Sequence, residues 1–235
     1  MDNRRRLWIG ASLLLAGALF WAVGQAVGPS GGDSEFQKTL ESLKQVKSFR
    51  GTYNESTPGA LHAERTWEVD CNQVIVHQQS HESQTNTESP FEMQNDELLV
   101  GELRYTRDHD GAWTNNGRAG DPLGDRGSAK WYCHNLEQGA VNDLLPDVLN
   151  MTRHGVFEKG DKKTVSGVRC REWKFGIRTA LSAQAGSICI GVDDHLPYEM
   201  TDSGGHYTYS DYNQSIRFDA PDAILQPVSS AGGSN

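Results

Sequence analysis

Two short runs, Arg107-Asp108-His109-Asp110-Gly111 and Asp193-Asp194-His195, gather carboxylate and imidazole groups of the kind that ligate metals. A protein zinc site needs about three or four such ligands converging from defined elements. Asp108, His109, Asp193 and His195 would have to meet across a long stretch of chain to supply them. Asp, Asn and Gly are also the residues that turns select, so both runs read as turns rather than as a metal centre. The remaining histidines, His62, His77, His81, His134, His154 and His206, are scattered without a consistent nucleophile or carboxylate companion. Ser80-His81-Glu82 is contiguous, whereas a catalytic triad is assembled from distant positions. The sequence contains no Gly-x-Ser-x-Gly, His-Glu-x-x-His, Walker or dinucleotide-binding signature. It reads as a non-enzyme with no cofactor and no metal.

Cys133 beside His134 could form a nucleophile pair, but the N-terminus argues for oxidised cysteines. Arg4, Arg5 and Arg6 precede an uncharged run from Leu7 to Val27. A basic start, an apolar middle and small residues near Gly24-Gln25-Ala26 have the order of an export signal. The run also approaches the roughly 20 residues needed to span a bilayer. Residues 1–26 therefore fit either a cleaved signal peptide or an anchor in the cytoplasmic membrane through residues 7–27. Both fates place the rest of the chain outside the cytoplasm, in a periplasmic or extracellular setting. The four cysteines, Cys71, Cys133, Cys170 and Cys189, all lie beyond this segment. An even count in an exported chain reads as disulfides. The formal net charge of −9 disfavours nucleic acid and anionic lipid headgroups as partners. Asn54, Asn150 and Asn213 each open an Asn-x-Ser/Thr sequence, a pattern short enough to arise by chance.

The elements that must position any site begin with a helix over Ser34–Lys47. Phe36, Leu40, Leu43 and Val46 share one face, and Ser34 with Gln37 fits a capping box. An apolar stripe on so short a helix needs a partner surface. Residues 27–33, before it, form a Gly/Pro/Ser linker. After it the chain is strand-like: from Ser48, then Leu61–Asp70, Gln73–Gln78, and Glu97–Thr106 turning through Asp110-Gly111 into Gly111–Thr114. Asn115–Ser128 reads as a surface loop, and Ala140–Leu149 as a second helical patch broken near Pro146. Val168–Ile177, Gly186–Val192, Tyr198–Asp202 and His206–Phe218 are the late strands, and residues 229–235 a disordered tail. Trp173, Phe175 and Ile177 share one strand face, as do Ile188, Ile190 and Val192, while Cys170 and Cys189 have the opposite parity. Antiparallel pairing would then face both thiols to each other on the outer side. That pairs Cys170 with Cys189 and, by elimination, Cys71 with Cys133. Trp67, Trp113, Trp131, Trp173, Tyr207 and Tyr209 on presumed strands read equally as core or as the wall of an incompletely filled interior. The fold class is α+β, a curved antiparallel sheet wrapped around one helix as an unclosed half-barrel, with a short helical lid.

Several stretches together resemble the LolA/LppX-like lipoprotein-carrier superfamily, which includes the RseB-type sensors. Leu40-x-x-Leu43-x-x-Val46-Lys47-Ser48-Phe49-Arg50-Gly51 looks like its first helix entering its first strand. Asp110-Gly111-Ala112-Trp113 looks like its mid-domain hairpin. Gly167-Val168-Arg169-Cys170 through Phe175, then Ile188 to Asp193 and Leu196-Pro197-Tyr198, looks like its late strand pair and turn. Tyr207-Thr208-Tyr209-Ser210-Asp211-Tyr212-Asn213 looks like its closing strand. The resemblance implies a half-barrel domain over residues 34–228 with an apolar cavity that shields acyl chains. The lipobox cysteine of the lipid-bearing members is missing here.

On that resemblance the chain would hold a lipid, acyl chain or lipoprotein between helix and sheet. Phe36, Leu40 and Leu43 would form the helix wall and Trp173, Phe175, Ile188 and Ile190 the sheet wall. Leu144, Leu145 and Val148 would be a movable cover. The alternative is an envelope sensor or scaffold that contacts a partner protein through the same fold.

Overall fold

The computed structural model describes residues 31–56, 62–84, 90–107, 111–119, 127–138, 144–146, 148, 151, 155–178, 183–203 and 205–225. The expected export segment, residues 85–89, Asp110, most of Ala140–Leu149 and the tail from residue 229 lie outside these residues.

Among the described residues, three helices and eleven strands follow in chain order. Helix α1 is Gly31–Leu43. Six strands come next: β1 (Ser48–Ser56), β2 (His62–Asp70), β3 (Ile75–Gln84), β4 (Phe91–Val100), β5 (Leu103–Arg107) and β6 (Thr114–Arg118). Helix α2 is Ala129–Glu137. Then follow β7 (Gly155–Val165), β8 (Val168–Arg178), β9 (Ala183–Gly191), β10 (Pro197–Asp202) and β11 (His206–Ser210), with one turn of helix, α3, at Asp222–Leu225. The strands form one antiparallel sheet in the order β6-β5-β4-β3-β2-β1-β11-β10-β9-β8-β7. Two meanders are thus joined where β1 meets β11, through Gly51 opposite Tyr209. Strands β6 and β7 are the free edges, so the half-barrel is unclosed.

Cross-strand register assigns each residue to a face. Phe49, Val69, Val76 and Leu99 make one row on the concave side. Met200, Ile188 and Trp173 make another. Helix α1 lays its stripe on this surface, with Phe36, Leu40, Leu43 and Val46 all buried. The Phe36 ring stacks on Phe157, centroids 3.9 Å apart, and stands edge-on to Trp173 at 6.1 Å. Full burial of such side chains is worth roughly 1.5–3 kcal/mol each, which is how a helix too short to persist alone is held.

The sequence expectations need correction at several points. Helix α1 begins at Gly31 inside the expected linker, so Ser34 is a helical residue and not the cap, and it ends at Leu43. Val46 stays in the stripe because a tightened turn follows, with the Gln45 and Val46 amides donating to Ser42 and Leu43 carbonyls at 3.0 Å each. The single strand expected over Glu97–Thr106 is split by a turn in which Gly101 takes φ 59°. Strand β6 occupies part of the expected loop, and helix α2, bearing Trp131, occupies the residues that follow it. The strand expected from His206 to Phe218 stops at Ser210, because Asp211 (φ 55°) and Asn213 (φ 57°) turn left-handed. The chain beyond crosses to the convex face. There Ile216 and Phe218 bury against Ile75, Leu98, Val100 and Tyr105, a second core.

Both disulfides are formed, Cys71–Cys133 and Cys170–Cys189, and all four cysteines are accounted for. Cys170 and Cys189 do lie opposite in parity to Trp173 and Ile188. They are nevertheless buried, not solvent-facing. Lys163 of β7 reaches Glu199 of β10 at 2.7 Å, across the two strands that carry the disulfide. Such bonds fit an exported protein.

Gly51 marks a close approach: a Cβ there would stand 2.2 Å from Cε2 of Trp67, whereas at Gly176 it would meet nothing within 4 Å. Gly51→Ala is expected to destabilise by about 1–3 kcal/mol, as overpacked cores do, and Gly176→Ala to change stability little. Urea unfolding of the two variants measures the difference.

Candidate ligand cavity on the concave face

Helix α1 covers only part of the concave face. Beyond its reach, the register places Trp67, Gln78 and Glu97 in one cross-strand row and Arg65, Ser80 and Asn95 in the next. Tyr132 of α2 and Leu144 face these rows, and a cavity of about 230 Å³ lies between them. The Cys71–Cys133 bond fixes α2 in this position by tying it to the end of β2. Ser128 caps α2, its side chain accepting from the Trp131 amide at 3.1 Å.

The floor is Trp67, only 4% exposed. Its indole lies over Gly51 and 6.3 Å from the Tyr209 ring. The indole N–H is buried and, among the described residues, has no acceptor. Leaving a buried donor unmade costs about 1–3 kcal/mol, so this group is a feature to explain. The charged groups nearby are already paired. Arg65 donates to Glu82 at 2.8 Å. Arg104 Nε stands 2.6 Å from Glu97, an ion contact rather than an aligned hydrogen bond.

The ten residues expected to hold ligand are all buried, but they are not one wall. Phe36, Leu40, Leu43, Trp173, Phe175, Ile188 and Ile190 belong to the packed core under α1, together with Leu144, Leu145 and Val148. Of these ten, Leu144 lines the cavity. The hollow lies farther along β2–β4 than expected, and its sheet wall is polar. Sequence reasoning missed Gln78, Ser80, Asn95, Glu97 and Tyr132, and treated Trp67 only as one aromatic among several. A usable signal exists: on one face β3 passes from Val76 to Gln78, Ser80 and Glu82, while β4 passes from Leu99 to Glu97 and Asn95.

Of the motifs with apparent chemistry, those among the described residues take part in local structure. Asp194 accepts from the Leu196 amide at 3.1 Å and the Tyr198 hydroxyl at 2.5 Å, while His195 Nδ1 contacts Glu35 of α1 at 2.7 Å. Asp108 and His109 lie outside the described residues. Among the described residues no group of three or more His, Cys, Asp or Glu is placed to hold a metal. Ser80 and His81 point to opposite faces, and His81 pairs with Glu92 at 3.0 Å. Cys133 is in its disulfide. No described helix is long and apolar enough to cross a membrane, and residues 7–27 are not among those described.

A second constellation lies on the convex face. His77 is buried, with Nε2 2.6 Å from Asp96 and Nδ1 3.3 Å from Glu68. Arg107 donates to Asp96 at 2.5 Å and Arg50 to Glu68 at 2.7 Å. This network borders a cavity of about 500 Å³ also lined by Thr52, Thr208, Arg217 and Asp219. Burial alone would lower the His77 pKa, but the hydrogen bonds to Asp96 and Glu68 prevail and hold it at about 9. For Asp96, burial raises the pKa, and the bonds from His77 and Arg107 outweigh it, leaving the carboxyl below its ordinary range.

No protein-family model matches the sequence, and no curated protein does either. At the level of fold the chain is an unclosed antiparallel half-barrel with a helix on its concave side. LprF from Mycobacterium bovis has this fold: it is 10% identical, with a TM-score of 0.51 over 79% of this chain and 94% of that one. Two structures of MucB with MucA, one described as from Pseudomonas aeruginosa, are each 14% identical and overlap 83% of this chain. Their TM-scores are 0.37 and 0.34, and this chain spans 60% and 57% of theirs.

His77 makes stability pH-dependent in a definite window. Its folded pKa of about 9 exceeds the unfolded value of 6.5, so its contribution is complete below pH 6.5 and is lost as pH rises toward 9. Thermal melts at pH 6.5 and 9 are expected to show a loss of about 2–3 kcal/mol in the native protein, and His77→Gln to flatten that interval.

Proposed function

We propose that this chain is a non-enzymatic exported binding protein that holds an apolar or lipidated ligand between helix α1 and the sheet. The observation that carries the reading is the hollow on the concave face, roofed by Leu144 and lying next to the packed aromatic core. Ligand pockets commonly measure about 300–1,000 Å³, so the 230 Å³ hollow takes a whole acyl chain only when its cover moves. Leu144, Leu145 and Val148 are that cover in this reading. Their displacement opens a path along Phe36, Leu40 and Leu43 toward Trp173, Phe175, Ile188 and Ile190. Desolvation of the chain drives binding, at roughly 25 cal/mol per Å² of apolar surface. Residues 7–27 either direct export or tether the domain to the cytoplasmic membrane.

A second reading rests on Phe91 and Met93, 43% and 52% exposed on the same concave side at the far end of β4. There they would touch a partner protein in the envelope, and the domain would act as a sensor or scaffold.

Expression in a bacterial envelope, followed by native mass spectrometry and organic extraction, tests the carrier reading. About one lipid per chain is expected, with at least a fivefold drop in Leu144→Trp, which fills the hollow. A lipid-free native protein, or equal recovery from the variant, overturns it. Capture of a single envelope protein lost in Phe91→Asp supports the second reading instead.

A further inference from the structure

We propose that the cavity beside Trp67 receives the uncharged, carbonyl-bearing end of the ligand, the ester or amide group at which an acyl chain joins a neutral headgroup. The inference rests on the carrier reading and specifies which lipids satisfy it. Four observations support it. The Trp67 indole N–H is a buried donor without an acceptor at a residue lining the cavity. Three neutral hydrogen-bonding side chains share the wall, Gln78, Ser80 and Asn95, and none has a hydrogen-bond partner among the described residues. The Gln78 and Asn95 amides and the Ser80 hydroxyl can each donate and accept, which suits carbonyls and hydroxyls. The cations at the site are engaged, Arg65 by Glu82 and Arg104 by Glu97.

The charge balance decides the class of headgroup. Among the described residues no free guanidinium or ammonium lines this cavity to receive a carboxylate or phosphate, and Glu82 and Glu97 stand in its wall. A desolvated anion there would find its potential counter-ions already paired with Glu82 and Glu97. A carbonyl, by contrast, supplies the acceptor that Trp67 lacks. The volume of about 230 Å³ suits such a compact group better than a chain, and the apolar faces of Tyr132 and Leu144 lie where the first methylenes would leave it.

The test uses the full chain purified from a bacterial envelope, titrated at pH 8 with 1-monopalmitoylglycerol and with palmitate, which share one acyl chain. Binding is read by native mass spectrometry. The ester is expected to bind at least tenfold more tightly than the carboxylate. Trp67→Phe keeps the ring, removes the donor, and is expected to weaken the ester about tenfold, the worth of one hydrogen bond, leaving palmitate unchanged. Should Trp67→Phe fail to fold by circular dichroism, Asn95→Leu at its exposed position is expected to weaken the ester severalfold. Equal affinity for both ligands, or an ester affinity indifferent to the variant that folds, overturns the inference and leaves the carrier reading standing. Binding of neither ligand overturns both.

Discussion

The insertion of the α1 stripe into the concave side of the sheet is the contact on which the other features depend. An open antiparallel sheet of eleven strands has one face that curves inward and cannot be left to water. Phe36, stacked on Phe157 and edge-on to Trp173, joins the helix to the β7–β8 end. Leu40, Leu43 and Val46 extend the same stripe. Glu35 adds a polar tie to His195 at the β9–β10 turn. A helix of thirteen residues cannot cover all that surface, and the part it leaves is the cavity over β2–β4. Strand face, helix length and cavity position are therefore one geometric fact.

The convex face shows a different solution. Most of it is polar and carries ion pairs between neighbouring strands. Near β3–β5 it turns apolar, and the chain after β11 folds back to cover Ile75, Leu98, Val100 and Tyr105 with Ile216 and Phe218. The His77–Asp96–Arg107 network borders this second core, and Asp219 reaches Arg107 at 3.3 Å. The Arg107 guanidinium also lies 4.6 Å from the Trp113 ring centroid. Each half of the sheet has one disulfide, Cys170–Cys189 joining β8 to β9, and Cys71–Cys133 joining the end of β2 to α2.

Legibility in the sequence followed locality. The α1 stripe is a repeat at intervals of three and four residues and could be read directly. The Cys170–Cys189 bond was legible because strand parity is local, whereas its burial was not, since that depends on Lys163 and Glu199 meeting over two strands. Strand β7 escaped because an edge strand rich in Lys and other polar residues lacks an apolar alternation to detect. Helix α2 escaped because the Gly- and Asp-rich residues before it dominate the reading, although Ser128 capping Trp131 was a visible start signal. The position of the hollow over β2–β4 is not legible for a deeper reason. Residue types say which side chains are greasy, not how far a helix extends across a curved sheet. The expectation placed the hollow behind the greasiest residues, and those are the ones that pack together.

The α1 stripe fills one end of the cup, and in the proposed reading ligand enters at the other, beneath Leu144. A crystal structure of the full chain, purified from a bacterial envelope without any delipidating step, tests this most directly. Continuous density for a bound molecule beside Trp67 is expected, with Leu144 displaced from its closed position. Water alone in that hollow, with Leu144 still seated against the core and density for lipid elsewhere or nowhere, would contradict it.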